Sequence, residues 1–164
     1  MKHPISLHIR AYRSDDAAAT MDVFRRAVTE TSSCDYDDEQ VRTWAGNTGT
    51  PTQWNTRRSA ARTWVAETAD HRPSIVGFID IDDTGYIDML FVDPSIARRG
   101  VASQLLDQVE RYAAANDIAR LSVHASITAQ PFFHRHGFRA VETRHPQIGD
   151  VTFVNYLMIK PMPV

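Results

Sequence analysis

The chain has 164 residues, 43% of them hydrophobic and 23% charged, with 18 basic against 20 acidic side chains and a formal net charge of −2. This length favours a single domain spanning residues 1–164 with room for a large core, and the near-balanced charge argues against a nucleic-acid binder held by a uniform basic face. One cysteine, Cys34, excludes an intramolecular disulfide framework and a Cys-based zinc site, and no apolar run approaches the roughly 20 residues of a membrane span.

Residues 1–5 lead straight into a strand-like segment and lack the apolar stretch of a secretory leader, so a reducing, cytoplasmic setting is expected. Ile5–Tyr12 alternates, with Ile5, Leu7, Ile9 and Ala11 on one side, and predicts a half-buried strand. Ser14-Asp15-Asp16 supplies cap oxygens and negative charge for a helix whose inner face carries Met21, Phe24 and Val28. After a polar break at 31–37, Asp37-Asp38-Glu39 opens a shorter helix with Val41, Trp44 and Ala45 inward. Residues 46–51 are turn-rich, and 54–62 reads as a short helix. Strands are predicted at Arg62–Glu67, Ile75–Asp82 and Tyr86–Val92, the last two joined by the hairpin residues Asp82-Asp83-Thr84-Gly85. Gly100–Asn116 is the clearest helix. Leu121–Ala125 follows as a strand, 128–136 as a helix, and Phe138–Arg144 with Thr152–Ile159 as a closing hairpin. The order predicts a mixed α/β sheet.

Chemistry concentrates where the strand Tyr86–Val92 stops at Asp93-Pro94 and Ala97-Arg98-Arg99-Gly100-Val101-Ala102-Ser103 opens the long helix. A glycine at a helix start leaves outward N–H groups and a favourable dipole for a phosphate. An ordinary helix entry with a turn glycine is the competing reading. The segment lacks the Gly-Lys-Ser/Thr ending of a Walker loop and the three glycines of a dinucleotide fingerprint.

Two stretches resemble the signatures of the GCN5-related N-acetyltransferases (GNAT). They are Tyr-Ile-Asp-Met-Leu-Phe-Val-Asp-Pro at 86–94 with Arg-Arg-Gly-Val-Ala-Ser at 98–103, and Ala-Gln-Pro-Phe-Phe-His-Arg-His-Gly-Phe at 129–138. The likeness extends over the chain in element order and is strongest to the YafP-type bacterial members. It implies a mixed, mostly antiparallel, twisted sheet flanked by helices, and an acyltransferase using acetyl-CoA without a metal. By the same resemblance, the backbone of Leu90, Phe91 and Val92 would pair with the pantetheine arm. Arg98 and the amides of Arg99, Gly100, Val101, Ala102 and Ser103 would hold the pyrophosphate. Ser126 stands where many members carry a cofactor-contacting Asn, and Phe132 and Phe133 would pack beside the pantetheine. Two positions depart from the family pattern. Ala97 replaces a Gln or Arg three residues before Gly100, and Phe133 replaces a Tyr that protonates the departing thiolate.

Acetyl transfer to an amine needs a proton acceptor, because an alkylamine with a pKa of about 10.4 is protonated at neutral pH. Asp88 and His124 are the candidate bases; the first shares a face with Tyr86 and Leu90 by alternation, and the second sits on the next strand. Each also has a plainer reading as a strand residue with a structural partner. Tyr36 and Tyr86 are candidate acceptor-binding residues, and Trp44 reads as core. His134 and His136 diverge around their helix and cannot share a metal. Cys34 shows no base partner, and Arg57, Arg58 and Arg62 read as a solvated face. The function expected is N-acetylation of a small-molecule or protein amine by direct attack in a ternary complex. The alternative is a CoA- or acyl-CoA-binding sensor without efficient transfer. No nucleic-acid or membrane partner is expected, and the chain would act as a monomer or homodimer.

Overall fold

The computed structural model describes residues 5–163, so the reading of residues 1–4 as leaderless lies outside them. Strand β1 (Leu7–Ala11) is followed by a single 3-10 turn at Ser14–Asp16 and by helix α1 (Ala17–Arg26). Asp16 is buried and accepts from the Arg13 N–H at 2.7 Å and from both Arg10 terminal nitrogens at 2.8 and 2.9 Å. Burial pushes its carboxyl up, but these donors outweigh it and hold the group below its ordinary range. Beyond Arg26 the helix widens into a π turn at Ala27–Thr31 and ends in a 3-10 turn at Ser32–Cys34. Such widened turns occur often at functional sites.

Helix α2 (Asp38–Ala45) starts with a reciprocal cap between Asp37 and Gln40, and α3 (Pro51–Ala60) with one between Thr50 and Gln53. The sequence places that third helix at 54–62; the Thr50-Pro51 start signal moves it three residues earlier, since proline suits the first helical turn. Next come β2 (Arg62–Thr68), β3 (Ile75–Ile81), β4 (Tyr86–Ile87), β5 (Leu90–Val92) and α4 (Val101–Ala115). The remainder is β6 (Arg120–Ser126), α5 (Gln130–Arg135), β7 (Arg139–Arg144), β8 (Gln147–Ile148), β9 (Val151–Thr152) and β10 (Asn155–Pro161).

The strands form two four-stranded sheets, β1-β2-β3-β5 and β4-β6-β10-β7, with β8 and β9 as a separate ribbon. Among the described residues only the β4–β6 pairing is parallel. The expected continuous strand Tyr86–Val92 is therefore corrected: it breaks after Ile87, and its two pieces belong to different sheets. The break also ends the alternation that would put Asp88 on one face with Tyr86 and Leu90. The closing strands pair as expected, β7 against β10, with a bulge between Leu157 and Met158 and the β8–β9 ribbon in their connection.

One apolar cluster packs α4 (Val101, Leu105, Leu106, Val109) onto Ile79, Ile87, Leu121 and Met158. A second packs α1 and α3 (Met21, Phe24, Trp54) onto Val65 and Phe78 of the opposite sheet face. Gly77 permits the first contact, because a Cβ there would stand 3.0 Å from Val101 and 3.1 Å from Leu105.

Candidate active site

The gap between the two sheets holds the candidate site. β5 is an edge of one sheet and β4 of the other, so the chain diverges at Asp88-Met89 and opens a V between β5 and the carboxyl half of β6. On the β3 side, the Asp80 N–H donates to the Met89 carbonyl at 3.1 Å and the Asp93 N–H to the Val76 carbonyl at 2.8 Å. Phe91 lies opposite Phe78 in the same register. In an antiparallel ladder alternate residues bond to opposite sides. Leu90 and Val92 thus turn their backbone N–H and C=O groups toward the gap, whereas the Phe91 backbone belongs to the ladder. The Phe91 ring packs on Phe24, with centroids 4.8 Å apart.

At one end of the gap Gly100 caps α4 with φ +84°, and open space lies in front of its α-carbon. That backbone favours glycine. No side chain caps the helix, so the first-turn amides at Val101, Ala102 and Ser103 depend on partners outside the helix. Arg98, exposed and itself at φ +63°, stands beside this terminus, while the Arg99 carbonyl accepts from the Ile5 N–H at 3.3 Å. Asp93 closes the preceding turn. Its carboxyl is pushed up by burial, but the Ser95 N–H and hydroxyl and Arg26, 2.7 Å away, hold it low on balance.

At the other end stand Tyr86 and His124, the Tyr86 hydroxyl 3.1 Å from His124 Nδ1. Burial, then the Arg144 charge, holds the imidazole below its ordinary value, so it is neutral at pH 7. Burial and the nearby Asp88 carboxylate push the Tyr86 phenol up to about 12, which keeps its proton on. Asp88 opens toward the cavity with half its side chain exposed and meets Arg58 at 3.3 Å. Arg58 corrects the reading of the arginine cluster as a solvated face. It is 2% exposed, it pairs with buried Asp80 at 2.7 Å, and its guanidinium lies over the Trp54 ring. Burial pushes Asp80 up to about 6 although the Arg58 charge pulls it down.

A cavity of about 780 Å3 joins the two ends. Tyr86, Asp88, Leu90, Phe91, Val92, Arg98, Gly100, Val101, Ala102, Ser103, His124 and Ser126 all reach it, as do Tyr36, Phe132 and Phe133. Ser126 also accepts from the Ala129 N–H at 3.0 Å and so starts the turn into α5. Phe133 is buried between Phe132 and Phe138. Tyr36 spends its hydroxyl on structure, donating to the Val154 carbonyl at 2.6 Å and accepting from the Ile127 N–H at 3.0 Å, which leaves only its ring to line the space. Trp44, read as core, is half-buried and lines the cavity beside Tyr36 and Phe91.

Sequence reasoning missed His136 and Asn155 as cavity residues. Nδ1 of His136 donates to the Phe132 carbonyl at 2.9 Å, which leaves Nε2 to accept from the Ser103 hydroxyl at 3.1 Å. The four-residue step back to Phe132 is the only local signal for that role. Among the described residues no group of three His, Cys, Asp or Glu side chains is placed to hold a metal ion, and no helix is long and apolar enough to cross a membrane. Cys34 is exposed.

The divided sheet thus has an uncapped helix terminus at one end of the division and the Tyr86–His124 pair at the other. Comparison with known proteins identifies the family that shares this arrangement. The acetyltransferase (GNAT) domain family matches residues 33–159. The chain is 38% identical over 153 residues to the uncharacterized N-acetyltransferase YafP of Escherichia coli K12, covering 93% of this chain and 95% of that one. A GCN5-related N-acetyltransferase from Rhodopseudomonas palustris superposes with a TM-score of 0.88 at 31% identity, covering 98% of this chain and 97% of the other. The PaiA N-acetyltransferase of Thermoplasma acidophilum, solved with coenzyme A, shares the fold with a TM-score of 0.77 at 16% identity, over 96% of this chain and 99% of that one. The chain belongs to the GNAT acetyltransferase family and is an acyltransferase of YafP-like type.

Proposed function

We propose that the protein transfers the acetyl group of acetyl-CoA to a primary amine of a small-molecule or protein acceptor, by direct attack while both substrates are bound. The observation that carries this reading is the continuity of one cavity from the α4 terminus, past the open edge of β5, to the Tyr86–His124 pair. The residues present fit the carrier. The Gly100 turn leaves the α4 amides and Arg98 facing open space for a diphosphate, and the β5 edge offers Leu90 and Val92 for strand-like pairing with an amide-bearing arm. The acyl carrier, when bound, supplies the activated thioester.

Each remaining task falls to side chains or backbone of this chain. The Leu90 N–H, fixed on the rigid edge, stabilises charge developing on the thioester oxygen. His124 is the proton acceptor. Tyr86 lies against Nδ1, so a proton leaving the amine passes to the phenol oxygen as Tyr86 gives its own proton to His124. Asp88, half exposed beside them, attracts the incoming ammonium. No side chain is assigned to protonate the thiolate. A leaving group with a parent pKa of about 8.5 departs without one, because acid help is worth roughly 10²–10⁴-fold rather than the whole rate. Cys34 takes no part, so no acyl-enzyme forms.

The test is release of CoA thiol when purified protein, acetyl-CoA and a panel of primary amines are mixed. Amine-dependent release supports the reading. Tight acetyl-CoA binding with no release from any amine would leave the chain a binding module and sink the transfer step.

A further inference from the structure

Pairing across the β3–β4 turn contains one residue too many. The Asp82 N–H donates to the Tyr86 carbonyl at 3.0 Å, and two residues earlier on β3 the Asp80 N–H donates to the Met89 carbonyl. The chain thus advances two residues on one side and three on the other, which is a bulge centred on Asp88. A bulge leaves ladder donors without a carbonyl. Here the Asp88 N–H and the Met89 N–H both point at one atom, Oδ1 of Asp80, at 2.9 and 3.1 Å. The other oxygen of the same carboxylate accepts from Arg58 at 2.7 Å. Asp80 is 1% exposed and Arg58 2%, so bulk solvent does not reach this arrangement and the side chain stands in for the missing strand partner.

Register gives the device its consequence. Without the extra residue, pairing would continue in step from Asp82–Tyr86, and Leu90 and Val92 would bond to β3. Their N–H groups would turn away from the gap, since a one-residue slip reverses every residue of a strand. We propose that Asp80, clamped by Arg58, is the positioning residue that holds the bulge and thereby aims the Leu90 N–H at the acyl oxygen. Asp80 touches neither substrate; it acts through the backbone it holds. The same clamp reaches Asp88 through the second Arg58 terminal nitrogen, so the acceptor-side carboxylate and the acyl-side donor share one anchor. The inference rests on the acetyl-transfer reading above.

Its test needs no knowledge of the amine. Acetyl-CoA carrying 13C at the thioester carbonyl is bound to the native protein and to Asp80→Asn, and the carbonyl band is read by difference infrared spectroscopy. Native protein shifts the band to lower frequency. Asp80→Asn, whose amide nitrogen opposes Arg58, loses most of that shift, as when one oxyanion donor is withdrawn, while its affinity for acetyl-CoA stays within about threefold because the α4 terminus is untouched. Arg58→Lys keeps a cation beside Asp80 and restores part of the shift. If Asp80→Asn fails to fold, Arg58→Lys against Arg58→Met carries the same comparison. An unshifted band on the native protein, or a full shift in Asp80→Asn, overturns the positioning role even when amine-dependent thiol release stands. Absent acetyl-CoA binding by the native protein would instead overturn the transfer reading.

Discussion

The two ends of the cavity are built from different materials. The α4 end is main chain: the Gly100 turn, the first-turn amides of α4 and the open edge of β5. The Tyr86 end is side chain: a phenol, an imidazole and a carboxylate drawn from β4, β6 and the break between the sheets, backed by an arginine from α3. A backbone site tolerates most side-chain changes and fails only when something is put into its space. A side-chain site fails by deletion.

The largest effect should come from breaking the first end by insertion. Gly100→Glu places a carboxylate and a Cβ at φ +84° where the helix dipole favours an external anion. Affinity for acetyl-CoA, read by titration calorimetry, is expected to fall at least about 100-fold, or roughly 2.7 kcal/mol. Undiminished affinity would remove the diphosphate from this turn. Breaking the second end by deletion is next. His124→Gln should lower kcat about 100-fold with acetyl-CoA affinity unchanged, and equal losses in both would show that His124 holds structure instead.

A smaller effect sharpens the electrostatics of that end. His124 followed by NMR is expected to titrate below the ordinary histidine midpoint of about 6.5. Since the unfolded chain then binds the extra proton more readily, this group's contribution favours folding above that pH and falls as pH drops from about 6.5 toward the folded midpoint. A midpoint above 6.5 would contradict the burial and Arg144 account. Phe133→Tyr adds a hydroxyl to a ring that is 2% exposed and should cost about 1–2 kcal/mol of stability in a denaturant melt. An unchanged melt would mean that the hydroxyl reaches the cavity. Cys34→Ser should leave kcat within about twofold, as direct transfer requires.

The same contrast explains what the sequence disclosed. The α4 end is contiguous, residues 90–103, and glycine, proline and small residues in series betray a turn and a helix start wherever they occur. The Asp37 cap of α2 was equally local, whereas the Thr50-Pro51 start of α3 is masked by the turn-rich run at 46–51 that contains it. The bulge was hidden because Ile87, Leu90 and Val92 keep an apolar strand composition through the break. Its cause lies in Asp80, on the neighbouring strand. Arg58 was hidden for a related reason. An arginine beside another arginine in a polar helix resembles any solvated face, and only its pairing with Asp80, 22 residues away, puts it inside. Tyr86 and His124 were singled out separately, but 38 positions part them, and their contact depends on the parallel register that sets Tyr86 opposite Ser122.

The Tyr36 hydroxyl carries a consequence of another kind. It joins the turn after α1 to Ile127, at the end of β6, and to Val154, just ahead of β10. Gln40 adds a bond to the Thr152 carbonyl and Thr128 one to Asp35. Three segments distant along the chain are thereby fastened at a single oxygen with two supporting stitches. They should loosen as one unit: Tyr36→Phe would set free an amide and a carbonyl in two different segments together, and local melting would spread around the rim of the cavity instead of staying where the atom was removed.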